Sequence, residues 1–313
     1  MIRAARQRGF NLVELMVAMV IGLIVSLVAT VAYVTGIEAQ SAQNDMARED
    51  EAARFAMMLL TAELGKAGYH NSNGNFPGLR FGNASGAVAP LTFPVTGLAG
   101  TSADNNYSDT LIVSYFGEND FASPALDNPD GRMLDCLGNP IRRDMRVVEH
   151  ITVEKDADNG DELSLFCKPY YFPGAGSAAV PDCATEANAD GSKSCPAVAL
   201  VPGVEVMKLV YGEDTDDDGL ANRYVTIGHV TNKEMILGVM PALVVRTTGN
   251  SIVNPSAPDQ TFNLLGENFV PSADDKGFSF VVPKDGRFHF PYGTGIALRN
   301  VGEVTVTNKE GKK

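Results

Sequence analysis

Three carboxylates alternate with other residues in Asp214-Thr215-Asp216-Asp217-Asp218-Gly219, at positions 1, 3 and 5 of a D-x-D-x-D-G pattern. This spacing turns acids inward on a hard cation, with Gly219 making the sharp bend and Leu220 offering its carbonyl, so Ca2+ is the expected ion. Asn222 falls at position 9, and position 12 is Val225 in place of the bidentate glutamate of a helix-loop-helix site. The expected affinity is therefore modest, or a further ligand comes from another segment. An acidic, water-exposed hairpin turn would give the same string. A second acidic stretch, 156–162, holds Asn159-Gly160 between two strand-like runs and reads as a hairpin turn.

Cys136, Cys167, Cys183 and Cys195 come no closer together than 12 residues, so the C-x-x-C spacing of zinc sites is missing. An even count in an oxidising compartment reads as two disulfides, with three connectivities open. Spacing favours Cys136 with Cys167 and Cys183 with Cys195, each closing its own loop. The four histidines are scattered, and H-E-x-x-H, G-x-S-x-G, the P-loop and the dinucleotide-binding glycine pattern do not occur. No pair among the 38 acids singles out an acid and a base. The chemistry on offer is binding and cross-linking, and the chain reads as a non-enzyme.

The remaining singular acid is Glu14. It is the only charge among residues 10–37, and Leu15 to Ile37 are 23 uncharged residues, where about 20 suffice to cross a bilayer as a helix. Arg3, Arg6 and Arg8 precede the span, which predicts the N-terminus inside and the rest of the chain outside. A cleaved secretory signal has a shorter apolar region. A plain anchor gives no reason for a carboxylate inside it, which is costly unless paired.

The elements that carry these groups follow from periodicity. After Ile37 the chain stays helix-prone, with Ala39, Ala42, Met46, Ala53, Ala56, Leu60 and Leu64 recurring at helical intervals between charges. Gly65, Gly68 and the asparagines beyond them end the pattern. A continuous helix over 10–67 would be about 87 Å long. Residues 71–109 read as a long loop region. Strand-like runs follow at 110–116, 146–154, 163–167, 204–211, 224–227, 242–247, 278–282 and 294–299. No repeat of fixed period is present. The expected class is α+β, a transmembrane then amphipathic helix packed on an antiparallel β-rich head. A formal charge of −13 over 313 residues argues against direct nucleic-acid binding.

The string Gly9-Phe10-Asn11-Leu12-Val13-Glu14-Leu15, behind a basic leader and ahead of the apolar run, resembles the class III signal of type IV prepilins and type II secretion pseudopilins. The resemblance implies cleavage by a prepilin peptidase after Gly9 and N-methylation of Phe10. It also implies that Glu14 pairs with the Phe10 ammonium, its own or a neighbour's, and so sets subunit register in a fibre. The divisions it implies are a leader at 1–9, a pilus-core helix at 10–37, an amphipathic helix half at 38–68 and a head at 69–313.

The strings VYGEDTDDDGLANRYV, ALVVRT and TGIALRN, with the spacing of Cys136 and Cys167, are similar to the PilW-like minor pilins of type IV pili. That family implies a pilin-like fold and a place in a priming or tip complex. The implied partners are other minor pilins, the major pilin and a PilY-type tip adhesin, with roles in motility, adhesion or DNA uptake. The implied location is the inner membrane before assembly, then the periplasm and the cell-surface pilus. A J-like or K-like type II secretion pseudopilin and a membrane-anchored adhesin or ligand-binding module are the other readings. Cleavage after Gly9 would remove three arginines and leave a mature charge of −16 before the new amine is counted.

Overall fold

A computed structural model describes residues 11–69, 108–119, 129–173, 180–188, 192–232, 235–247, 259–266, 269 and 278–299. One helix, α1 (Leu12–Lys66), runs unbroken for 55 residues. It has two physically different halves. No residue from Leu12 to Arg48 is buried, because the apolar side chains there point outward all round. From Glu49 onward a stripe of Glu49, Ala53, Ala56, Leu60, Glu63 and Leu64 is buried, at the three- and four-residue steps that one helix face requires. The helix stops at Lys66, and Gly68, at φ 74°, turns the chain into the head.

The head has two main antiparallel sheets. The first contains β1 (Leu111–Phe116), β2 (Met145–Asp156), β3 (Glu162–Pro173), β4 (Glu186–Ala187), β5 (Lys193–Ser194) and β6 (Val198–Pro202), in the order β1-β2-β3-β5-β4 with β6 also on β3. The second contains β7 (Val204–Glu213), β8 (Arg223–Val225), β9 (Ile236–Arg246), β12 (His289–Gly293) and β13 (Ile296–Ala297), in the order β12-β9-β7-β8 with β13 also on β9. A small hairpin of β10 (Thr261–Asn263) and β11 (Ser279–Val281) covers the back of the second sheet through Phe280 and Leu264.

The upper half of α1 lies against both sheets. Ala53, Ala56, Leu60 and Leu64 share one core with Leu111, Val113, Ile151, Leu165, Met207, Leu209, Leu243 and Val245. Covered by the helix side on one face and by the small hairpin on the other, β7 is buried at all ten positions. Its edge is finished by side chains: Ser108 Oγ accepts from Met207 N–H at 2.9 Å and Asp109 Oδ2 from Leu209 N–H at 2.9 Å.

Several elements differ from the sequence expectation. β3 runs on to Pro173 and β9 begins at Ile236, upstream of Pro241. Proline is tolerated there because its carbonyl, and hence its missing N–H, faces the break between β12 and β13, where Thr294 N–H reaches it at 3.3 Å. The run at 294–299 keeps only Ile296–Ala297 as strand. β4, β5, β6, β10 and β12 are short or carry proline, and no alternation announces them. The Asn159-Gly160 turn does close the β2–β3 hairpin, but through five residues, 157–161, with a 3-10 turn over Ala157–Asn159 and left-handed Gly160 and Asp161. The Asp156 carboxylate accepts from Asp158 N–H and holds this longer turn. Gly9 and Phe10 lie outside the described residues, as does most of the expected loop region.

Candidate functional site

The acidic loop leaves the end of β7, where pairing with β8 and β9 fixes both flanks. Asp214 is buried at its root, while Asp216 and Asp218 are exposed. Asp214 Oδ1 accepts from the N–H groups of Asp216, Asp217 and Asp218 at 3.2, 2.8 and 3.4 Å, and Oδ2 from Gly219 N–H at 2.8 Å. Gly219 supplies the turn at φ 86° and Asp217 is left-handed beside it. Burial acts to raise the Asp214 pKa, but the four backbone donors outweigh it and hold the carboxyl below its usual value. Burial, then the charge of Asp218, push Asp216 the other way.

One carboxylate oxygen from each of Asp214, Asp216 and Asp218 falls within 4.8 Å of the others. Asn222 Nδ2 donates to Asp216 Oδ1 at 2.9 Å and its Oδ1 accepts from Thr215, so this side chain also faces the loop. Asp214 Oδ2 accepts one backbone N–H, from Gly219. The donor set is all oxygen and suits a hard cation.

Glu213, which the sequence does not single out, anchors the loop from below. Its carboxylate accepts from Thr231 N–H at 2.9 Å, Asn232 N–H at 2.6 Å and the Thr231 hydroxyl, and faces Arg223 at 3.5 Å. Burial raises its pKa, and these donors together with Arg223 more than offset that, leaving it below the usual range. Its position directly before the D-x-D-x-D run was the signal available in the sequence.

The cysteines form two bonds, Cys136–Cys167 with Cα atoms 6.5 Å apart and Cys183–Cys195 with Cα atoms 4.9 Å apart. Asp135 ties them together. Its Oδ1 accepts from Leu137 and Asn139 N–H at 2.9 and 2.8 Å, and its Oδ2 from the Tyr171 hydroxyl at 2.5 Å. The Tyr171 hydroxyl lies 3.3 Å from Cys195 Sγ, and Asn139 Nδ2 donates to Cys183 Sγ at 3.5 Å.

The same knot reaches the helix. Glu149, fully buried on β2, accepts from Tyr115 hydroxyl and Cys136 N–H, both at 2.7 Å, and lies 3.9 Å from Lys66 Nζ. Lys66 pairs with Glu63 and donates to the Leu134 carbonyl at 2.7 Å. Burial, then the charge of Glu63, push Glu149 well above the usual carboxyl range despite Lys66. Cys136, Glu149 and Cys167 are close enough to share an ion, but the two sulfurs are already bonded to each other.

Glu14 lies in the first turn of α1 on its exposed apolar half, with no partner in this single chain among the described residues. The apolar half of α1 has no buried residue and is long and apolar enough to cross a membrane.

The family described as "Prokaryotic N-terminal methylation motif" matches residues 4–30, and the "Type IV Pilus-assembly protein W" family matches residues 170–306, which include the acidic loop and the Cys183–Cys195 bond. Among solved structures, a type IV-like pilin from Thermus thermophilus aligns at 13% identity with a TM-score of 0.37, covering 82% of this chain and 98% of that one. No curated protein matches the chain. A prepilin methylation motif leading into a single apolar helix, whose far end seats on an antiparallel β head, defines a pilin-like protein. The matched region is similar to the PilW family over 170–306 and, with the methylation motif, supports a type IV pilus minor pilin. Pilin-family proteins are structural components, and no feature of the described residues calls for catalysis.

Proposed function

We propose that this chain acts in the priming or tip complex from which a type IV pilus is assembled. The carrying observation is the division of α1, in which Leu12 to Arg48 bury nothing in the protein's own head and are left for a membrane or for other helices. The matched methylation motif supports cleavage after Gly9 and methylation of Phe10. In a packed fibre, Glu14 then neutralises the Phe10 ammonium, and removing either charge would strand the other in an apolar surround. Before assembly the N-terminus faces the cytoplasm and the head the periplasm, with the other minor pilins, the major pilin and a PilY-type adhesin as partners. The loop of Asp214, Asp216 and Asp218, with the Leu220 carbonyl and Asn222, holds Ca2+ and rigidifies the head surface.

The test is a deletion strain combined with N-terminal sequencing of the mature chain. Loss of surface pili and twitching, with N-methyl-phenylalanine at Phe10, is the expected result. Intact pili with lost exoprotein secretion would move the chain to a type II secretion pseudopilin, and a mature start other than Phe10 would remove the prepilin route.

A further inference from the structure

Counting from the N-terminus, the first buried side chain on α1 is an acid. Glu49 retains 4% exposure, and the next helix positions to be buried are Ala53 and Ala56. The carboxyl is therefore the lowest point at which the helix is held to the head. Below it about 55 Å of helix projects free, at 1.5 Å per residue. The Tyr292 side chain from β12 faces the Glu49 carboxyl, and Glu49 Oε1 is buried with no hydrogen-bond partner.

The other charges around this point all lie on α1. Asp50 stands beside Glu49 and also engages Tyr292, with Arg54 paired to Asp50 at 2.9 Å, and Asp45 lies one turn below. β13 and β6, which pack on α1, carry no titratable side chain, and β9 carries only Arg246, at its far end. On β1, Tyr115 sits at the other end of the contact, under Lys66. Arg48 precedes Glu49 on the helix, and among the described residues no ion pair reaches the Glu49 carboxyl.

We propose that Glu49 is a proton-operated latch: its neutral carboxyl closes the lowest turn of the helix–head contact, and its ionisation releases residues 45–52 of α1 from β12. An ionised carboxylate with one oxygen buried and unbonded is costly, and lifting one helical turn into water relieves it. Burial, partly offset by the Tyr292 hydroxyl and reinforced by Asp50, raises the Glu49 pKa to about 7. With an ordinary carboxyl in the released state, the proton stays longer on the closed form, so closure weakens as pH rises from 4.5 through about 7. Below that window the helix leaves the head at a fixed angle, and above it the joint is loose.

The full chain in detergent micelles tests this by amide hydrogen exchange, corrected for intrinsic pH dependence and with β2–β3 amides as the folding control. Between pH 5.5 and pH 8, protection over 45–52 should fall by roughly 25-fold in the native chain. Glu49→Gln should flatten that response while leaving the control unchanged. Tyr292→Phe should move the transition to higher pH, because it removes the hydroxyl whose nearness favours the ionised form. The side-chain carboxyl carbon-13 shift of Glu49 gives the midpoint without any substitution. A midpoint near 4.5, pH-independent protection in the native chain, or an unchanged response in Glu49→Gln would each overturn the latch.

Discussion

The loop after β7 and the seam beneath the end of α1 both gather carboxylates, and they stabilise them in opposite ways. In the loop, Asp214 receives four backbone N–H groups from the five residues that follow it, so the chain folds around the negative charge and keeps it. In the seam, Glu149 accepts from Tyr115 and Cys136 while a second acid, Glu63, stands beside it and Lys66 is shared between the two. Asp214 is held ionised and Glu149 is held toward its protonated form. Their pH dependences therefore oppose one another. Asp214, with a lowered pKa, stabilises above its ordinary value of 3.8 and loses that contribution as pH falls. Glu149, with a raised pKa, stabilises most in acid and loses its contribution as pH rises above 4.5.

The largest effect should come from emptying the seam. Glu149→Ala strands the Tyr115 hydroxyl and the Cys136 N–H in a dry interior and should cost about 3 kcal/mol in urea unfolding of the full chain. Glu149→Gln imitates the neutral acid and should cost under about 1 kcal/mol. Equal losses in both would show that the seam needs a charge, and the contrast with the loop would fail.

In the loop the conservative change should be the harmful one. Asp214→Asn leaves a single carbonyl oxygen for four donors, so amide protection over 215–222 should collapse at neutral pH while the β2–β3 hairpin is untouched. In the native chain the same amides should lose protection only as pH drops below 3.8. Loop protection that survives Asp214→Asn would mean that pairing of β7 with β8 and β9, and not Asp214, sets the turn.

The smallest effect is the cation itself. Millimolar Ca2+ should raise the melting temperature of the native chain by a few degrees and leave Asp216→Ala unmoved, since binding only to the folded form adds stability as the ligand exceeds its Kd. Identical curves with and without Ca2+ would leave the loop as an acid-stabilised hairpin turn.

Much of the loop was legible because its determinants are local. Asp214, Gly219 and Asn222 lie within nine residues, and the turn is made by bonds that span two to seven positions. The seam was not legible. Glu149 sits in the alternating run RVVEHITVE, where an acid suggests a solvent-facing position, and its partners come from residues 63, 66, 115 and 136. Glu49 is the same case on the helix. The amphipathic stripe was readable, but only the approach of Tyr292, more than two hundred residues later, gives the acid its surroundings. The short strands β4, β5 and β6 were missed for a related reason. They exist because β3 offers an edge to β5 and β6, β5 in turn pairs β4, and the Cys183–Cys195 bond holds the segment near β3.

By itself the sequence determined the apolar span, the methylation motif, the continuous helix, the larger strands and the acidic turn. Each is encoded by composition or by contacts between near neighbours, where period, charge and spacing leave few alternatives. The tertiary structure alone decided which half of α1 is covered, which acids are dry, and how the two disulfides meet through Asp135 and Tyr171. Those outcomes depend on side chains far apart in sequence arriving in one low-dielectric place, where burial and the few donors within reach decide whether a carboxyl keeps its proton.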